Sequence, residues 1–156
     1  MMTFLPKTPC ARYGVAVLVL NLTVGASVSA GAQAQATAIK ADQNGVVQFT
    51  TPSNNIECIY VPAGGSPVYK PPGNMAELSC DRATPNYVRV QMSARGAVQQ
   101  IPNPGDQPCC SVGPVLNYGE TWRVAPFSCT SEKTGLTCRR DDGHGFSVSR
   151  AGIKRY

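Results

Sequence analysis

Beyond Gly45 the apolar residues of this chain come in short runs. Some alternate with polar residues, as in Val88-Arg89-Val90-Gln91-Met92, and others crowd branched and aromatic side chains together, as in Ile59-Tyr60-Val61. Alternation is the period of a strand with one buried face, and branched or aromatic residues suit a pleated surface. No stretch holds the 3.6-residue period of a helix for three turns. Strands are therefore expected at residues 46–50, 56–61, 77–82, 87–92, 97–101, 121–124, 127–130, 136–139 and 146–149. Thr51-Pro52-Ser53-Asn54-Asn55, Pro62-Ala63-Gly64-Gly65, Pro71-Pro72-Gly73-Asn74, Pro102-Asn103-Pro104-Gly105-Asp106 and Asp141-Asp142-Gly143 lie between them. These residues fix a negative φ or accept a positive one, as turns require. Turn signals every ~8–12 residues predict an all-β fold, a small antiparallel sandwich or barrel stapled by disulfides, with no internal repeat and no second domain.

The first 36 residues follow another pattern. Lys7 and Arg12 precede the apolar run Gly14-Val15-Ala16-Val17-Leu18-Val19-Leu20, and small residues then recur at alternate positions in Val28-Ser29-Ala30, Ala32-Gln33-Ala34 and Ala34-Gln35-Ala36. That order is a secretory signal, cleaved after Ala30, Ala34 or Ala36. Asn21, Thr23 and Ser27 interrupt the run well short of the ~20 apolar residues that span a bilayer, so no transmembrane segment is expected after cleavage. The chain divides into a signal at residues 1–36, a flexible leader at 37–45 and one domain at 46–156, exported to a periplasmic or extracellular space.

Cysteine parity agrees with export. Of seven cysteines Cys10 leaves with the signal, and Cys58, Cys80, Cys109, Cys110, Cys129 and Cys138 remain as an even set, for which disulfides are the default. Without a Cys-x-x-Cys and with a single histidine, neither a zinc site nor another metal or cofactor is expected. Cys129 and Cys138 flank a short turn, Glu132-Lys133-Thr134-Gly135, that sets them opposite each other, and Cys58 and Cys80 fall in two expected strands joined by a long loop. Directly opposed strand residues meet the Cα spacing of a disulfide. The adjacent Cys109 and Cys110 either close an eight-membered ring, which needs a distorted or cis peptide costing ~2.5–4 kcal/mol, or bond to other strands.

Charge is modest, with 14 Lys and Arg against 9 Asp and Glu, but unevenly placed. From residue 121 onward there are 7 basic and 3 acidic residues. Arg139, Arg140, Arg150, Lys154 and Arg155 are thus candidate contacts for an anionic envelope glycan, a lipid headgroup or an acidic protein, unless they form only a solubilising face. Nucleic-acid binding is not expected, since it needs a stronger basic excess with interleaved aromatics.

Few residues suggest chemistry. His144, between Gly143 and Gly145 and after Asp141 and Asp142, has the makings of a general base; it equally fits a turn whose glycines allow close packing. Neither Ser147 nor Ser149 sits in a glycine-x-serine-x-glycine elbow. A thiolate nucleophile needs an unpaired cysteine, and Asp141-Asp142-Gly143 lacks the alternating oxygen ligands of a calcium loop. Trp122, with Tyr118 and Tyr60, is either a stacking platform for a sugar or core.

Several motifs in order resemble a family of small exported bacterial domains of uncharacterised function: Thr51-Pro52-Ser53, Asn55-Ile56 and Cys58; Cys80-Asp81; Tyr118-Gly119; Pro126-Phe127 and Cys129; and Gly143-His144-Gly145-Phe146 with Ser149-Arg150. The chain departs from that pattern in having no cysteine between Asp81 and Pro108 and two together afterwards. The resemblance brings no activity with it. Three functions follow from the residues: a binding module with a basic C-terminal face, a small hydrolase using His144, and a secreted inhibitor of an attacking enzyme such as a lysozyme. Charge steering opposes the last, because such enzymes are commonly basic too.

Overall fold

The computed structural model describes residues 35–106 and 113–156. Eleven strands are found among them: β1 Gln35–Ala36, β2 Val47–Thr50, β3 Ile56–Val61, β4 Glu77–Arg82, β5 Val88–Ser93, β6 Gln99–Pro102, β7 Glu120–Val124, β8 Phe127–Glu132, β9 Gly135–Arg140, β10 Gly145–Val148 and β11 Ile153–Arg155. The only helical element among the described residues is a 3-10 turn at Pro72–Asn74. Strands β2 to β6 form one antiparallel meander in chain order, and β7 to β11 form a second, edged by β1 running parallel to β7. The chain is an all-β sandwich stapled by disulfides.

Period-two alternation explains the core. In β3 and β4 the inward residues are Cys58, Tyr60, Leu78 and Cys80, and in β8 and β9 they are Phe127, Cys129, Leu136 and Cys138, all buried. Trp122 packs between the sheets, its ring centroid 5.2 Å from Phe49 and 5.8 Å from Tyr60. Cys58 lies opposite Cys80 and Cys129 opposite Cys138, and both pairs are disulfides with Cα atoms 4.1 Å apart. The sulfurs of Cys58, Cys80 and Cys138 lie within 4.8 Å of one another, so the two bridges stack against each other across the core. Cys109 and Cys110 lie outside the described residues.

Nine strands fall where the hydrophobic pattern predicts them. The two unexpected ones are short and peripheral: Gln35–Ala36 has no apolar pattern, and Ile153–Arg155 is a three-residue edge strand carrying two cations. Residues 37–45, read from sequence as a leader, make defined contacts. Thr37 N donates to Thr121 O, Asp42 Oδ1 accepts from the amides of Asn44 and Val46, and Ile39 packs against the core.

The structure shows a correspondence between the two meanders that the sequence does not display. Each meander carries its disulfide between its second and third strands, and each third strand reads Leu-x-Cys-x-Arg: Leu78-Ser79-Cys80-Asp81-Arg82 in β4 and Leu136-Thr137-Cys138-Arg139-Arg140 in β9. Each arginine crosses to the other sheet, where Arg82 Nη1 donates to Ser149 O at 2.8 Å and Arg140 Nη1 to Ser93 O at 2.6 Å. Those carbonyls stand at corresponding places, one after β10 and the other at the end of β5. The match is confined to inward-facing positions. Outward residues and loops differ, with residues 62–76 joining β3 to β4 and only Lys133 and Thr134 joining β8 to β9, so the sequence shows no period.

Candidate functional site

The outer face of the second sheet follows from its register. One row across the strands reads Arg123, Ser128, Arg139, Gly145 and Tyr156, and the next reads Thr121, Thr130, Thr137, Ser147 and Lys154. Arg123, Arg139 and Lys154 are exposed. The Arg139 guanidinium sits 4.7 Å from the centroid of the Tyr156 ring, which orders it without neutralising it. Glu132, at the far end of β8, is the single acid among the outward strand positions of β7 to β11.

Two of the five predicted cations, Arg139 and Lys154, therefore share this face, and Arg123, which the sequence reading passed over, joins them. Arg140 does not. Two residues on from Cys138, it faces inward like the cysteine and is only 4 % exposed. Its guanidinium donates to Ser93 O and Gly96 O and makes two bonds of 2.8 and 2.7 Å to Asp142. Arg155 alternates away from Lys154 and donates to Val98 O, just before β6. Arg150 lies in the turn after β10, at the end of the sheet remote from Arg139. Trp122 is corrected as a binding residue: at 1 % exposed it is core, while Tyr118 remains outside, so no stacking platform exists with Tyr60.

His144 sits half-exposed with Nδ1 3.3 Å from Asp142 Oδ1. Hydrogen bonds from Arg140 hold the Asp142 carboxyl far below the usual carboxylate range, with smaller contributions from the His144 amide and side chain. No serine hydroxyl or thiol is hydrogen-bonded to the His144 side chain among the described residues. Its neighbours have backbone reasons to be glycine. Gly143 has φ +92°, and a Cβ at Gly145 would come within 2.5 Å of Cys138 O.

A second surface lies on the outer side of the β2–β6 sheet. Residues 62–76 leave β3, arch over that sheet and return into β4, enclosing a cleft of about 480 Å³. The arch is held by Ser66 N donating to Tyr69 O and by Gly65, whose added Cβ would meet Tyr69 O at 2.6 Å. Its tip, Val68, is 94 % exposed. Ile59 and Val61 supply an apolar floor, and Asp42, Glu57, Glu77 and Asp81 face a single cation, Arg89. Arg89 is already committed, since it grips Asp81 through two 2.7 Å bonds and pairs with Asp106 at 2.9 Å. Tyr87, donating to both aspartates, is raised well above the ordinary phenol value by burial and then by those bonds.

Glu77 is the unusual member. It is 2 % exposed, and its Oε1 accepts the Tyr69 hydroxyl at 2.8 Å. Burial, and then Glu77 itself, push the Tyr69 hydroxyl pKa upward. The other oxygen, Oε2, has no partner. Three further buried atoms share that condition, Arg82 Nε, Trp122 Nε1 and Ser131 Oγ, but of the four residues Glu77 alone lines the cleft. Sequence offered one signal for this site, the outward Ile59 standing between the outward Glu57 and Val61 of the same strand.

Residues 72–155, more than half of the chain, match the model of DUF6636, a family of unknown function. The chain belongs to this family. The family match runs from the 3-10 turn through β11, so it takes in Glu77, Asp81, Arg89 and the whole second meander, while Glu57, Ile59 and Tyr69 precede it. It also contains the motifs from Cys80-Asp81 to Ser149-Arg150 on which the resemblance rested. No curated protein and no solved structure matches the chain.

Proposed function

We propose that this protein is an exported, non-catalytic binding module that docks on an anionic glycan of the cell envelope through the outer face of its second sheet. The observation that supports this reading is the gathering of Arg123, Arg139 and Lys154 from β7, β9 and β11 on one open face. Hydroxyls lie between them, and the one acid stands at the far end. Flat sheet faces with ordered cations suit an extended polyanion, and the interleaved Ser and Thr hydroxyls offer further donors to sugar oxygens. Export is supported by disulfides buried in the core, which oxidising compartments favour, and by the signal-like order of the first residues.

A hydrolytic reading has less support. His144 has Asp142 as an orienting carboxylate, but that carboxylate is held by Arg140, and no serine hydroxyl or thiol among the described residues is hydrogen-bonded to the His144 side chain.

Co-sedimentation with isolated envelope tests the proposal. Binding should fall as salt rises from 0.1 to 1 M, because the Debye length shrinks from ~10 to ~3 Å. Arg139→Glu with Lys154→Glu should abolish it at low salt without lowering the melting temperature by more than a few degrees. Sedimentation that ignores both salt and the double reversal contradicts the proposal.

A further inference from the structure

The cleft over the first sheet has features that the docking face does not use. Its carboxylates outnumber its cation, the cation is saturated by Asp81 and Asp106, and one buried carboxylate oxygen, Glu77 Oε2, faces no donor. A buried acceptor without a partner is destabilising, so an unmet one in a native fold calls for an explanation, and a donor brought by a ligand is one. The missing element is a hydrogen-bond donor carrying positive charge.

Shape narrows the class. Val61 lies opposite Glu77 and Glu57 opposite Asp81, so the two glutamates stand four residues apart, ~13 Å along the strands, with Ile59 between them. The exposed side chain of Val68 forms a lip above this floor. An acid at each end of an apolar strip fits an aliphatic chain ending in an ammonium group and does not fit a sugar or an anion.

We propose that this cleft binds a linear aliphatic amine, seating a protonated amino group on Glu77 and its carbon stem on Ile59 and Val68. Oε2 is shielded, so the ammonium group reaches it beside the Tyr69 hydroxyl that is bonded to the other oxygen of the same carboxylate. Lysine side chains and free polyamines share this chemistry. The site lies on the sheet opposite the basic face and does not depend on the docking proposal.

Isothermal titration of the intact domain with three probes tests it: cadaverine for a free polyamine, N-acetyl-lysine amide for a protein lysine, and 1,5-pentanediol as the uncharged control. At least one amine should saturate a single site, and the diol should not bind. Whichever amine binds tighter identifies the source. Glu77→Gln, which keeps the acceptor for Tyr69, should weaken the amine at least tenfold. Val68→Lys, at a tip too exposed to affect folding, should weaken it several-fold, and Val68→Glu should strengthen it. The Val68 pair decides the matter if Glu77→Gln does not fold. The proposal is overturned if neither amine binds at millimolar concentration, if the diol binds equally well, or if the folded variants keep wild-type affinity.

Discussion

Arg139 and Arg140 are adjacent and chemically identical, yet the structure assigns them opposite roles, and their alanine variants separate those roles in one experiment. The Arg140 guanidinium is nearly inaccessible and donates to Ser93 O at 2.6 Å, at the end of β5, and to Gly96 O at 2.9 Å, in the β5–β6 connection. A hydrogen bond from a charged donor is worth about 1.5–3 kcal/mol, so losing two removes about 3–6 kcal/mol. The bonds to Asp142 add little, because that carboxylate is half-exposed and water screens it. Arg139→Ala loses one exposed cation–π contact, about 0.5–1 kcal/mol. Guanidinium unfolding monitored by Trp122 fluorescence should therefore show a large fall in midpoint for Arg140→Ala and a small one for Arg139→Ala. Arg82→Ala should resemble Arg140→Ala, since Arg82 spans the sandwich at the corresponding place. Equal and small losses for all three would refute both the inward assignment of Arg140 and the correspondence between the two meanders.

Other outcomes follow from single features. Removing Cys129–Cys138 by double alanine substitution should cost about 2.5–3 kcal/mol and removing Cys58–Cys80 about 3.5, since the sequence separations are 9 and 22; urea unfolding checks the order. Asp142 has its folded pKa held below the unfolded carboxylate value, so its contribution is complete above pH ~4 and is lost as pH falls toward the folded value. Melting temperatures from pH 7 to pH 2 should thus fall less steeply in Asp142→Asn than in the wild type. Gly145→Ala should destabilise the domain by more than about 1 kcal/mol, because its Cβ would strike Cys138 O and the Tyr156 ring, and Gly143→Asn should be milder, since nothing lies within 4 Å and Asn tolerates positive φ. If the chain is exported as proposed, intact-mass measurement of protein from the cell envelope should give a first residue between Gly31 and Thr37. Gly31 or Gln35 is expected within that range, because cleavage after Ala36 would remove the strand that pairs with Glu120 and Thr121.

How much of this was legible in the sequence differs by level. Strand positions were, because alternation records which face is buried, and so were two disulfides, because opposed strand residues and a short turn constrain each other. Parity also held the fate of Arg140: counting two residues from the buried Cys138 would have placed it inside. Arg123 was hidden by its isolation between Trp122 and Val124, since a lone cation forms no run. The cleft was hidden for a deeper reason. Glu57, Glu77 and Tyr69 come from two strands and an arching loop, and only the register that sets Val61 against Glu77 brings them to one place.

The proposed recognition of an anionic polymer by one face of the second sheet is open to amide chemical-shift mapping with a soluble polyanionic glycan such as polygalacturonate. The expected result is a contiguous set of shifted amides in β7, β9 and β11 around Arg123, Arg139 and Lys154, lost in the Arg139→Glu and Lys154→Glu double variant. Shifts that cluster instead around Arg150 and Lys133, or around His144, or that are absent at low salt, would contradict it.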